Sequence, residues 1–269
     1  MKFKKFLVPI GLFIFIILFP LFSSTGMQYT PACFISTREH KYYRWETSLI
    51  QYSCDGKHIK DQNHRTVYTS PGDFKILDFD WTPEGEAQIL GVLATHQKGT
   101  VLEIYNLHNN SPILIKNMTA YHPWKIQFVD VDRDSIVEVS LGVYKKSPLH
   151  PIFTKRLFIF NFQHGLQPKW LGSRLSHPFT DFNFWVTPKR TILMAMELNR
   201  QAQPMLNAYE WDCFGFTGIA AHVDVVDNKT SSFQRGFVFD NQLYRQSLFM
   251  RNQDGAYKEI SMNLEETNP

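Results

Sequence analysis

The chain has little of what announces the familiar chemistries. It contains only three cysteines, Cys33, Cys54 and Cys213. None forms a C-x-x-C pair, so the spacing of structural zinc sites and dithiol redox centres is excluded. Past residue 26 there is no segment with the length and 3.6-residue apolar period of a useful helix. The body of the chain also lacks surplus charge. Three of the 28 Lys and Arg fall in the first five residues, which leaves 25 against 25 Asp and Glu. A nucleic-acid partner would need clustered excess Lys and Arg, so none is expected. Missing too are the G-x-S-x-G elbow, the H-E-x-x-H helix, a phosphate-cradling glycine loop and a dinucleotide fingerprint.

What is present begins with Met1-Lys2-Phe3-Lys4-Lys5, followed by an apolar run from Phe6 to Phe22 interrupted at Pro9, Gly11 and Pro20. A basic segment ahead of a long apolar one directs a chain to export. Ser23-Ser24-Thr25-Gly26 offers small residues to a peptidase, and the run is also long enough for a marginal membrane anchor. Residues 1–26 are therefore expected to be a signal peptide or a signal anchor. The basic end would face the cytoplasm, with the body secreted or held outside the membrane.

The body repeats a phrase about every fifty residues. Ser70-Pro71 leads to Phe74-Lys75-Ile76-Leu77-Asp78-Phe79-Asp80, and His122-Pro123-Trp124 leads to Ile126-Gln127-Phe128-Val129-Asp130. His177-Pro178-Phe179 leads to Thr180-Asp181-Phe182-Asn183-Phe184. The first acidic residues Asp78, Asp130 and Asp181 are 52 and 51 residues apart. Leu90-Gly91-Val92 and Leu141-Gly142-Val143 are 51 residues apart. Each unit holds four short runs rich in Val, Ile, Phe, Tyr and Trp, bounded by turn residues, which suits strands. Units of this length that cannot hide an apolar face alone stack side by side. Four strands per unit describe a propeller blade. The sequence predicts an all-β propeller over 27–269 with about five blades, at 27–69, 70–121, 122–176, 177–221 and 222–265. Cys33–Ser36 is assigned to the first unit, where Cys33 and Cys54 could form a disulfide outside the cytosol.

Asp130-Val131-Asp132-Arg133-Asp134-Ser135-Ile136-Val137-Glu138 is the sharpest local motif. Side-chain oxygens of Asp130, Asp132, Asp134 and Glu138, with the carbonyl of Ile136, have the spacing that wraps a hard cation such as Ca²⁺. The same residues also suit an ordinary turn in which Asp side chains cap their own backbone. Ser135 stands where glycine is favoured, since the backbone there wants positive φ. This motif and the following Val139-Ser140-Leu141-Gly142 resemble the FG-GAP/VCBS repeats of integrin-type and secreted bacterial propellers. The resemblance spans about 70–220 and implies a Ca²⁺ loop between the first two strands of a blade. Only the third unit keeps the acidic set.

A second constellation precedes the first strands: His122, Trp124, His177 and Phe179, joined by Arg174 on the approach. Around a propeller these residues would recur near one face and form a rim for a protein or glycan at the cell envelope. The plainer reading is that the prolines fix the turns and the aromatics pack between blades. Lys169 could line the same rim, with surface solvation the plainer reading for it and for Arg174, and Arg133 is expected to be solvated. The leading functional reading is an exported binding or interaction module. The alternatives are a carbohydrate-active enzyme with carboxylates in the central funnel, for which Asp181, Glu197 and Glu210 remain open, and a structural subunit of an envelope assembly.

Overall fold

A computed structural model describes residues 32–264, except 47, 85–86, 173, 220, 224–229, 241–242 and 261. The leader at 1–26 lies outside the described residues. After β1 (Ala32–Ile35), sixteen strands fall into four antiparallel sheets of four consecutive strands. The first sheet is β2 (His40–Trp45), β3 (Ser48–Cys54), β4 (His58–Asp61) and β5 (Thr66–Thr69). The second is β6 (Lys75–Glu84), β7 (Ala87–His96), β8 (Gly99–Asn106) and β9 (Ser111–Asn117). A single 3₁₀ turn at Thr119–Tyr121 leads to β10 (Pro123–Val129), β11 (Glu138–Ser147), β12 (His150–Asn161) and β13 (Gln167–Leu171). The fourth sheet is β14 (Phe179–Val186), β15 (Thr191–Leu198), β16 (Pro204–Asp212) and β17 (Gly215–Ile219). After β18 (Ala221–Val223) come β19 (Thr230–Asp240), β20 (Leu243–Asn252), β21 (Tyr257–Glu259) and β22 (Met262–Leu264).

The fifth sheet is built from both ends of the described chain, in the order β1-β19-β20-β21. Hydrogen bonding of β1 to β19 closes the ring, so the protein is a five-blade β-propeller. This corrects the sequence assignment of Cys33–Ser36 to the first unit. β18 also leaves the fifth blade and pairs with β22. Cys33 and Cys54 therefore lie on different blades, and Cys54 keeps its thiol, which accepts the Gly56 amide at 3.3 Å. The expected disulfide is not formed. Burial raises the pKa of the Cys54 thiol.

Four apolar clusters fill the spaces between successive blades. Tyr43, Tyr52 and Ile59 of the first blade meet Phe79, Trp81 and Leu90 of the second. Ile89, Leu93 and Leu102 then meet Ile126, Phe128 and Leu141. Leu157 and Ile159 meet Phe182, Phe184 and Leu193, and Met194 and Met196 meet Leu248 and Met250. A second strand so placed is covered on both faces, and Ile89 to Ala94 and Val139 to Val143 are accordingly buried without interruption. Their near-continuous apolar sequence follows from that double burial. Gly91 and Gly142 sit where blades approach most closely. A Cβ on Gly91 would stand 2.8 Å from Ile126 and Phe128, and one on Gly142 would stand 2.7 Å from Trp124.

The phase of the repeat differs from the sequence reading. The first strands of the second, third and fourth blades each carry an irregularity, at Leu77, Trp124 and Thr180. The residues after these bulges are Asp78, Lys125 and Asp181. They are the equivalent positions, while Asp130 lies beyond the end of β10. The regular 52- and 51-residue steps thus joined two inward-facing aspartates to one in a loop. Likewise Gly91 pairs with Asp80 but Gly142 pairs with Lys125, so the two Leu-Gly-Val runs stand one tier apart.

Candidate functional site

Alternate residues of the first strands face the axis in two tiers, in β6, β10 and β14 just beyond the bulges. Lys41, Asp78, Lys125 and Asp181 form the upper tier, and Tyr43, Asp80, Gln127 and Asn183 the lower. The same contact recurs twice around the ring. Lys41 Nζ donates to Asp78 at 2.8 Å and to the Phe79 carbonyl of the next blade. Lys125 Nζ donates to Asp181 at 2.7 Å and to the Phe182 carbonyl. Both ammonium groups also lie 5.1 Å from the ring centres of those phenylalanines. One tier below, Tyr43 donates to Asp80 at 2.8 Å and Gln127 to Asn183 at 2.6 Å.

Arg235 of β19 reaches from the fifth blade to Asp80 at 2.7 Å. Asp80 is fully buried and also accepts the Phe128 amide at 2.8 Å. Burial, then the nearby Asp80 charge, hold the Tyr43 pKa well above its ordinary value, so the phenol stays a donor. Desolvation opposes the charge on Arg235, but Asp80, Tyr43 and Asp78 together outweigh it and the net shift is upward. This knot lies between two mouths of the channel.

The mouth where the first strands begin opens into a cavity of about 320 Å³. Its charged lining is Arg38, Lys41, Lys125 and Lys155 against Asp78 and Asp181. Lys155 donates to the Thr180 carbonyl at 2.5 Å and stands 4.1 Å from the centre of the Trp124 ring. Burial pushes its pKa below the ordinary lysine value, against the pull of Asp181. Both carboxylates here already hold a lysine, and Asp78 spends its second oxygen on the Ile126 amide at 2.9 Å. A glycoside-hydrolysing pair divides its work between a protonated acid and an ionised partner. The mouth instead offers ammonium donors.

The opposite mouth, where the first strands end, holds a cavity of about 620 Å³. Tyr42, Trp81, Trp185 and Tyr244 line it beside Arg44 and Gln246. Arg44 is held by the Tyr244 carbonyl at 3.1 Å, and Gln246 accepts the Val186 amide at 3.3 Å. The Trp81 indole N–H is buried and has no acceptor among the described residues. These side chains were not singled out from the sequence. Their signal is a tryptophan in the second half of a first strand, Trp81 in β6 and Trp185 in β14, which by sequence is ordinary strand composition.

The loop over 130–137 brings Asp130, Asp132 and Glu138 together, with one oxygen of each within 4.8 Å of the others. Asp134 and Ile136 do not join them. Asp134 caps the Ile136 amide at 2.8 Å, and Ile136 is exposed. The two oxygens of Asp130 accept the amides of Asp134 and Ser135 at 3.1 and 3.0 Å. Arg133 and Ser135 adopt φ of 63° and 68° to make this turn. Lys169 Nζ stands 2.7 Å from Asp132 and 2.5 Å from Glu138. Glu138 has no exposed surface, and burial raises its pKa although Lys169 pulls it down. Desolvation works against the Lys169 charge too, yet its hydrogen bonds to Asp132 and Glu138 leave its pKa raised. With an ammonium between two carboxylates and the third committed to amides, this donor set does not fit a Ca²⁺ ion. Lys169 is thus no rim residue. Arg133 is not merely solvated, since it donates to the Thr187 and Pro188 carbonyls at 3.1 and 2.7 Å.

The expected rim is only partly assembled. Of its five residues, Trp124 alone lines the axial cavity. Phe179 is buried against Phe182 in the cluster between the third and fourth blades. His177 is half-buried, with Nδ1 3.2 Å from Glu197. Glu197 is fully buried and also takes the Tyr209 hydroxyl at 2.6 Å and Asn207 at 2.5 Å. The Tyr209 pKa is pushed up to about 12, by burial first and then by Glu197. His122 and Arg174 are exposed, and His122 ends the 3₁₀ turn with φ 45°. Glu210 is tied to Arg190. The three carboxylates left open by the sequence each have a structural partner.

No family model matches the chain, and no curated protein matches it. Among solved structures it is similar to the endo-arabinase from Bacteroides thetaiotaomicron VPI-5482, with 10% identity, coverage of 88% of this chain and 94% of that one, and a TM-score of 0.49. The five-blade propeller rests on the chain's own sheets and their closure, and the FG-GAP/VCBS resemblance rests on the sequence over residues 130–142 and the repeat around it.

Proposed function

We propose that this protein is an exported binding module that seats a glycan of the cell envelope in the aromatic mouth of its propeller. The observation that carries this reading is the cavity of about 620 Å³ in which Tyr42, Trp185 and Tyr244 stand beside Arg44 and Gln246. Aromatic faces cover the apolar faces of sugar rings, and side chains that already make hydrogen bonds hold the polar edges without further ordering. Export is supported by the basic and apolar character of residues 1–22. No helix among the described residues is long and apolar enough to cross a membrane.

A screen of the exported body against immobilised envelope polysaccharides and peptides tests the reading. Wild type should bind one glycan class, and Trp185→Ala should weaken that binding about tenfold or more while melting normally. Binding unchanged in Trp185→Ala, or capture of peptides alone, would refute it. Release of reducing sugar from the bound glycan would favour the enzyme reading instead.

A further inference from the structure

We propose that the opposite mouth is a site for a compact oxyanion, a carboxylate or phosphate group on a small organic molecule, received between Lys155 and Arg38. The inference goes beyond the glycan reading, because it concerns the end of the channel where the first strands begin. It starts from a surplus of cations. Four positive side chains and two negative ones line this cavity. Lys41–Asp78 and Lys125–Asp181 cancel as close pairs at 2.8 and 2.7 Å. Lys155 and Arg38 are left over, and neither forms an ion pair among the described residues.

The surplus is one of donors as well as charge. An ammonium carries three N–H groups. Lys155 gives one to Thr180 and faces the Trp124 ring. Lys41 and Lys125 each give two, to an aspartate and to a backbone carbonyl. One N–H of each therefore remains, and two remain on Lys155. A half-buried ammonium without a counter-ion is an unfavourable arrangement in the free protein, and an oxyanion in the cavity relieves it. The neighbouring carboxylates do not repel such a guest strongly, since each is neutralised by its own lysine. The volume, about 320 Å³, admits a group the size of one sugar ring or a short acid.

The position is also rigid. Lys155 lies on β12 beside Arg156, which is fully buried and ties the β11–β12 hairpin by donating to the Lys145, His150 and Ile152 carbonyls at 2.6, 2.8 and 3.0 Å. Trp124 is fixed from behind by Phe182, with ring centres 5.7 Å apart. Donors held this way need little reordering when an anion arrives.

Calorimetric titration with sodium glucuronate, glucose 6-phosphate and neutral glucose tests the site. One or both anions should bind saturably, more weakly as salt rises, with glucose silent; which anion binds separates the carboxylate from the phosphate source. Arg38→Ala, an exposed change, and Lys155→Met, which keeps the stem on Trp124, should each weaken binding about tenfold or more. Trp185→Ala at the other mouth should leave it unchanged, so failure of one reading is distinguishable from failure of the other. The proposal is overturned if neither anion saturates, if glucose binds equally well, or if Arg38→Ala binds like wild type. Should Lys155→Met not fold, Arg38→Ala alone decides.

Discussion

Lys169 does at one position what a bound cation would do for the Asp130–Glu138 loop. It supplies the positive charge that offsets part of the cost of ionising a wholly buried glutamate beside Asp132. Replacing it with methionine keeps the stem but strands the Glu138 charge, a change that costs about 3–5 kcal/mol when a buried pair is broken. The sign of the pH effect follows from Glu138, whose folded pKa is raised by burial despite Lys169. A raised folded value means that stability is greatest below the ordinary glutamate range and is lost as pH rises through the folded value. Without Lys169 the folded value climbs further, so the melting deficit of Lys169→Met should be larger at about pH 8 than at about pH 5. A deficit that does not vary with pH would show that the lysine acts through packing alone. By the same logic a chelator should leave the wild-type melting temperature unchanged, and a clear drop would restore the calcium expectation.

The element on which the ring depends is short. β1 has four residues, yet it joins the two ends of the described chain. Its docking needs a bare backbone at Gly236, where a Cβ would stand 2.4 Å from the Phe34 carbonyl oxygen and 3.1 Å from the Ile35 Cα. Those are main-chain atoms and cannot rotate away. Gly236→Ala should therefore expel β1 from the sheet. Hydrogen exchange should speed up at Cys33 to Ile35 and along β19 while the third blade stays protected, with a fall of several degrees in melting temperature. Unchanged protection of β1 would mean that the closure is not where the ring is held. This element also marks the limit of what the chain discloses by itself. Strand length, turn residues and a period near fifty are local properties, and they made the blades and their number legible. The partner of Cys33–Ile35 lies some two hundred residues away, and nothing in four residues names it. The phase of the repeat is hidden for a related reason. The inward positions are set by bulges at Leu77, Trp124 and Thr180, and a bulge leaves no mark in hydrophobic periodicity. Matching aspartate to aspartate thus put Asp130 where Lys125 belongs. The alternation of lysine and aspartate around the axis was hidden by that choice. So was the partnership of Lys169 with Glu138, which joins the first loop of a blade to its last strand.

At the scale of the molecule, the interblade clusters hold neighbours together, and the axis also joins blades that are not adjacent. Asp80 is the centre of that arrangement. It belongs to the second blade and takes a hydroxyl from the first, an amide from the third and a guanidinium from the fifth. Asn at this position keeps the shape and loses the charge, leaving Arg235 largely buried beside a neutral amide. The expected cost of Asp80→Asn is about 3–5 kcal/mol by denaturant melting. Tyr43→Phe should cost less, about 1.5–3 kcal/mol, since it removes one of several donors from a charged acceptor. The decisive measurement is the cycle with Arg235→Met. If the two charges serve each other, Asp80→Asn with Arg235→Met should be clearly more stable than the sum of the single changes predicts, because no stranded charge remains. Strict additivity, or a cost for Asp80→Asn below about 1 kcal/mol, would mean that the propeller is held by its apolar clusters alone and that the axial knot serves only to divide the channel into two mouths.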